Sequence, residues 1–197
     1  MRRKTEDYKH IFEKKGGNKI TIYYNRNAAV QYARTWWNKR NPNYPAFLVD
    51  CTSFVSQCLR AGGAPMTGYP NRAKGWWITD GWKSGRGVGG NYSNETWSYS
   101  WSVAHSLRWY LENAKTGLTA IRVQSPSELE IGDVILYDFQ GNGVIDHSVI
   151  VTSMANGIPY IHAHTADSAD RHYDYSNSLA YTPNIKYYFF KIDDVFN

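Results

Sequence analysis

The side chains in this sequence best suited to nucleophilic chemistry are Cys51 and three histidines, His147, His162 and His164. Cys51 opens a run to Ala61 in which Cys51, Phe54, Val55, Cys58 and Leu59 follow the i, i+3, i+4, i+7, i+8 stripe of a half-buried helix. With Asp50 as N-cap and Gly62-Gly63 as stop, Cys51 falls in the first turn. Unpaired backbone N–H groups and the helix macrodipole favour a thiolate there, the form a cysteine nucleophile requires. Cys58 lies two turns further on, about 10 Å away by helical rise. That is too far for an intrahelical disulfide, so free thiols are expected, with Cys58 filling core.

In Ile145-Asp146-His147-Ser148-Val149-Ile150-Val151, strand alternation puts His147 on one face with Val149 and Val151. An imidazole on an apolar face is costly unless it has a partner. In Tyr160-Ile161-His162-Ala163-His164-Thr165, His162 and His164 share a face, and an Asn156-Gly157 turn makes this strand the hairpin partner of the first. The expectation is that all three histidines converge on one sheet face beside the helix start that carries Cys51. That suits a Cys–His–polar triad of thiolate, general base and a third group that fixes the imidazole tautomer. A rival reading uses the three histidines as zinc ligands, but it leaves Cys51 idle and supplies no clear acidic ligand. The loop Asp138-Phe139-Gln140-Gly141-Asn142-Gly143 resembles the start of a calcium loop, yet its twelfth position is Val149 rather than glutamate, which favours a hairpin turn.

Further elements must hold these residues. A charged helix is expected over 5–15, stopped by Gly16-Gly17, then a β-rich stretch over 19–24. Ala29, Val30, Ala33, Trp36 and Trp37 mark a helix from 27 that ends by Asn41-Pro42. Residues 64–100, rich in Gly, Trp and Tyr without a period, read as a long ordered loop region. Ser100 is placed as the cap of a helix over 101–113, and strands are expected over 133–137, 147–153, 158–164 and 185–192. Helices first and strands afterwards predict an α+β domain with N-terminal helices packed on an antiparallel sheet. The division is a basic arm over 1–23 and one domain over 24–197.

At 197 residues, with 42% hydrophobic and 20% charged side chains, the chain is globular in composition. It contains no apolar run long enough for a transmembrane segment. No apolar stretch follows the basic start, so no signal peptide is read there. The net charge of +5 would suit nucleic acid, but residues 1–19 hold seven basic and three acidic side chains and so carry four of the five charges. The body is near neutral, no nucleic-acid partner is expected, and a monomer is.

Taken together, several ordered blocks look familiar. Asp50-Cys51-Thr52-Ser53-Phe54-Val55-Ser56-Gln57-Cys58-Leu59 followed by Ala61-Gly62-Gly63 resembles the cysteine motif of the bacterial "putative amidase domain" family. Asn25-Arg26, Asn41-Pro42-Asn43-Tyr44, Ser100-Trp101-Ser102-Val103, Gly132-Asp133-Val134-Ile135, Asp146-His147-Ser148 and Ala163-His164-Thr165 with Asp167 extend the resemblance across residues 24–172. The family is similar to papain-like cell-wall peptidases and amidases of the NlpC and CHAP types. The resemblance implies a circularly permuted papain-like fold, with Cys51 as nucleophile and His147 as base. The NlpC pattern places the third residue at His162, the amidase-domain pattern at His164, and His164 is favoured. Backbone N–H groups at the helix start would meet the oxyanion.

The reading is a cysteine amidase or peptidase acting on bacterial peptidoglycan peptides or another amide through a thioester, with no metal or organic cofactor. Relatives suggest an extracellular or cell-envelope setting. Trp36 and Tyr110, at helical spacing, read as core, whereas Trp76, Trp77, Trp82, Tyr92 and Trp97 are candidate walls of a substrate groove, with Asp50 beside it. The alternatives are a non-catalytic module that holds cell-wall glycopeptide and a zinc hydrolase built on the three histidines.

Overall fold

A computed structural model describes residues 12–14, 20–80 and 96–197. Helix α1 (Arg26–Trp36) starts where the Asn25 side chain accepts the Ala28 N–H at 2.9 Å, and it buries Ala29, Val30 and Ala33. Helix α2 (Cys51–Ala61) is buried along nine of its residues, Cys51 to Leu59, and so forms the centre of the molecule rather than a half-exposed flank. It stops where Gly63 takes φ +94°, the left-handed region that glycine enters without cost, and at Gly62 just before it a side chain would run into the Tyr24 ring.

The single helix expected over 101–113 is two, α3 (Tyr99–Ser102) and α4 (Ala104–Asn113), broken where Val103 is extended at φ −123°, ψ 120°. Ser100 does not cap a helix: its hydroxyl bonds the Gly75 carbonyl and the Ser98 hydroxyl. Of the helix expected over 5–15, residues Phe12–Lys14 form strand β1 instead. It pairs with β2 (Ile20–Tyr23), which in turn pairs with β9 (Val195–Phe196).

The main sheet has six strands. These are β3 (Ala120–Val123), β4 (Val134–Asp138), β5 (His147–Ala155), β6 (Ile158–Ala163), β7 (Ser168–His172) and β8 (Lys186–Ile192), arranged β3-β8-β4-β5-β6-β7 with every pair antiparallel. The fold is thus mixed α and β around an antiparallel sheet, as the order of elements predicts. Strand β4 is buried at all five positions because both its faces are covered. On one face Val134 and Leu136 join Ile150, Phe190 and the α2 residues Phe54, Val55, Cys58 and Leu59. On the other, Ile135 and Tyr137 join Phe139, Val149, Val151, Ile161 and Tyr175. No helix among the described residues is long and apolar enough to cross a membrane.

Candidate active site

Both cysteines are free and buried. Cys58 lies in the core against α2's neighbours, where burial drives its thiol pKa well up. Cys51 sits at the first position of α2, with Sγ 3.7 Å from the Thr52 hydroxyl. The Thr52 hydroxyl is in turn 2.9 Å from that of Ser148, a buried hydrogen bond that ties the start of α2 to the start of β5. The residue before Ser148 is His147. Cys51 and His147 therefore flank one short cross-link between helix and sheet.

The register of the sheet decides which way each histidine points. Tyr137 pairs with His147 and Val134 with Ile150, so His147 shares the face of Val149 and Val151, away from α2. Counted from the Asn156-Gly157 turn, the hairpin begins Ala155↔Ile158 and would set His162 opposite Val151, on that same face. A bulge at Thr152 shifts the register by one, and His162 instead opposes Ile150 on the face of α2. The expected convergence of three histidines on one face is thereby overturned. Among the described residues, no three His, Cys, Asp or Glu side chains gather as a ligand set for a metal.

Each histidine has its own surroundings. His147 Nε2 lies 2.8 Å from the Tyr175 hydroxyl, and among the described residues Nδ1 makes no hydrogen bond. Tyr137, Phe139 and Tyr175 enclose the ring. Burial, helped by the positive charge of Arg171, pushes its pKa down to about 3, so at neutral pH it is a neutral imidazole with a lone pair to offer. His162 is bonded through Nδ1 to the Thr152 hydroxyl at 2.7 Å and packs edge-on against Trp37. His164 stacks on Phe54 with ring centroids 3.9 Å apart, bonds Asp50 Oδ2 through Nδ1 at 2.9 Å and the Trp36 carbonyl through Nε2 at 2.8 Å. It links the last turn of α1 to the residue that starts α2.

Asp50 is the hub of that second network. Arg40 Nε lies 2.6 Å from Oδ2, the Thr165 hydroxyl donates to Oδ1 at 3.2 Å, and Arg40 also grips Asp167 at 2.9 and 3.1 Å. With its carboxylate turned to these donors, Asp50 makes no side-chain capping bond to α2. The first N–H groups of the helix, beside Cys51, are not taken up by it.

Trp76, Trp77 and Trp97 are 0%, 1% and 5% exposed, so they pack the loop region from inside rather than wall a groove. The Trp76 indole donates to Ser56 and that of Trp77 to backbone carbonyls of Asn71 and Lys74. The other two aromatic candidates, Trp82 and Tyr92, lie outside the described residues. What the sequence reading missed is Tyr175, Arg171, Ser148 and Arg40. None stands at a helical or strand spacing relative to Cys51 or His147 that would single it out.

The family model described as "Putative amidase domain" matches residues 23–190. The chain belongs to this family. Over 189 residues it is 48% identical to the protein named "Uncharacterized protein YhbB" of Bacillus subtilis (strain 168), an overlap of 95% of this chain and 56% of that protein. It is 29% identical over 172 residues to "Uncharacterized protein YjcM" of the same organism, across 79% of this chain and 36% of that protein. The chain thus spans about half or less of the length of these curated relatives. No solved structure matches it. Membership points to amidase-type hydrolysis as the activity class.

Proposed function

We propose that this member of the amidase-domain family is a cysteine-dependent amide hydrolase of NlpC-like, papain-related type, with Cys51 as nucleophile and His147 as general base. The observation that carries this reading is the 2.9 Å Thr52–Ser148 hydrogen bond, which brings the helix start bearing Cys51 to the strand start bearing a neutral, buried His147. Tyr175 is linked to both: its hydroxyl is bonded to His147, and the charge of the Cys51 sulfur is among the influences on its own ionisation.

In this mechanism His147 takes the thiol proton as Cys51 Sγ bonds to the amide carbonyl carbon. The oxyanion that forms is met by the uncapped N–H groups of α2. The C–N bond breaks as His147 passes the proton to the leaving amine. Water then adds to the thioester, giving the carboxylic acid and restoring the thiol. The substrates we infer are peptide amide bonds of bacterial peptidoglycan, on the resemblance to cell-wall amidases. The basic 1–19 segment suits such an anionic polymer.

The test is digestion of purified peptidoglycan and of simple peptide amides by wild type and by Cys51→Ala, with released amine measured. A loss of at least about 10³-fold in Cys51→Ala is expected. Activity kept in Cys51→Ala, or lost on chelation and restored by zinc, overturns the cysteine mechanism. Cleavage of peptide amides with peptidoglycan untouched overturns the substrate class alone.

A further inference from the structure

A cysteine–histidine pair needs a third group that fixes which imidazole nitrogen carries the hydrogen. The two side chains expected in that role stand elsewhere: His162 is on the opposite sheet face, bonded to Thr152, and both nitrogens of His164 face oxygen acceptors, Asp50 and the Trp36 carbonyl. The hydroxyl of Tyr175, in the segment after β7, is the group that reaches the His147 ring, at 2.8 Å. Resting on the proposed cysteine mechanism, we propose that Tyr175 is the positioning residue of His147, accepting a hydrogen bond from Nε2–H and so leaving the Nδ1 lone pair for the Cys51 proton.

Three features of the surroundings support this. Tyr175 is held at φ +58°, a left-handed conformation that a bulky residue adopts only at a cost, and one that persists where neighbouring structure over-determines it. Its ring is packed by Tyr137, with centroids 4.8 Å apart, and by the Arg171 guanidinium 4.1 Å over it, itself held by Asn177 at 2.7 Å. The hydroxyl is kept neutral, because burial raises its pKa; the charge of Arg171 opposes this and that of Cys51 adds to it. A neutral phenol can accept from Nε2–H while directing its own hydrogen to another oxygen, and Ser168 lies beside it. Were the phenol instead to donate to Nε2, the ring hydrogen would sit on Nδ1 and neither ring nitrogen would keep a free lone pair for the thiol proton.

The tautomer is directly observable. Long-range ¹H–¹⁵N spectra of the ring, assigned with His147→Gln, should show His147 as the Nε2–H form in wild type, and a mixture or the Nδ1–H form in Tyr175→Phe, which keeps the ring and deletes the acceptor. Alkylation of Cys51 by iodoacetamide should slow about 10- to 100-fold in Tyr175→Phe, with kcat on a peptide amide falling by a similar factor and KM within about twofold. A wild-type His147 in the Nδ1–H form, or a tautomer unmoved in Tyr175→Phe, overturns the assignment whatever the activity. If Tyr175→Phe does not fold, the wild-type tautomer decides alone. If the tautomer behaves as expected but no amide is cleaved, the positioning role stands and the hydrolase reading falls.

Discussion

At His147 one ring nitrogen meets a tyrosine hydroxyl and the other makes no hydrogen bond among the described residues, whereas at His164 an aspartate and a main-chain carbonyl hold both. The two rings are equally buried and lie near the same end of the sheet, and one cysteine adjoins both networks. What separates them is spare capacity. An imidazole with an unclaimed nitrogen can take a proton, while one clamped between an N-cap carboxylate and the end of α1 is a brace between two helices. Burial alone does not separate the proposed base from the bracing histidine; the hydrogen bonds each ring makes do.

Exchanging the two rings breaks this contrast most sharply. His147→Gln should lower kcat by about 10²- to 10⁴-fold while the urea midpoint moves little. His164→Ala should do the converse. It removes the stack on Phe54 and strips donors from Asp50 and the Trp36 carbonyl, at a cost of about 3–5 kcal/mol in stability, with turnover per folded molecule within about tenfold of wild type. Equal losses of activity in both variants, with both folded, would falsify the division of roles.

How far the sequence foretold this contrast depends on the element. The position of Cys51 at a helix start was legible because the apolar stripe of α2, its polar start and its paired glycines are local signals that agree. The strand face of His147 was equally legible from alternation. The face of His162 was not: the Asn156-Gly157 turn implies one register, and a single extra residue at Thr152 reverses it. Nothing in Val151-Thr152-Ser153 announces a bulge, since β-branched residues suit regular strand as well. Nor does local pattern reveal that Val103 splits a helix, or that Trp76 and Trp77 turn inward, because both depend on contacts with distant chain such as Ser56. Tyr175 was invisible for the same reason, being brought to His147 across the sheet from a segment without periodicity.

Acid provides a second, smaller way to sharpen the comparison. His147 has a folded pKa of about 3 against 6.5 when free, so between those values the unfolded chain binds a proton that the native protein refuses. Stability is then full above about pH 6.5 and is lost as pH falls toward 3. His162, lowered first by burial, adds in the same direction. Urea midpoints taken at about pH 7 and about pH 4.5 should fall steeply in wild type and less in His147→Gln, with the residual slope shared by His162 and the carboxylates. An unchanged slope in His147→Gln would mean that the ring takes up a proton in the native state as readily as in the unfolded chain, and that its burial does not hold it neutral.

The smallest effect addresses the cross-link on which the pairing of Cys51 with His147 rests. Thr52 and Ser148 are both buried, and their hydroxyls bond each other at 2.9 Å, with Cys51 Sγ 3.7 Å from that of Thr52. Thr52→Val or Ser148→Ala alone strands one buried hydroxyl and should cost about 1–3 kcal/mol, whereas the double variant removes both and should cost less than the sum. A coupling of about 1 kcal/mol in the cycle is the expected result. The activity readout is the more informative one. If the bond merely fills space, the double variant hydrolyses amides as wild type does. If it sets the approach of helix to strand, kcat falls in the double variant even though stability is largely restored. The reason is that a shift of a fraction of an ångström between Cys51 and His147 weakens proton transfer far more than it weakens packing.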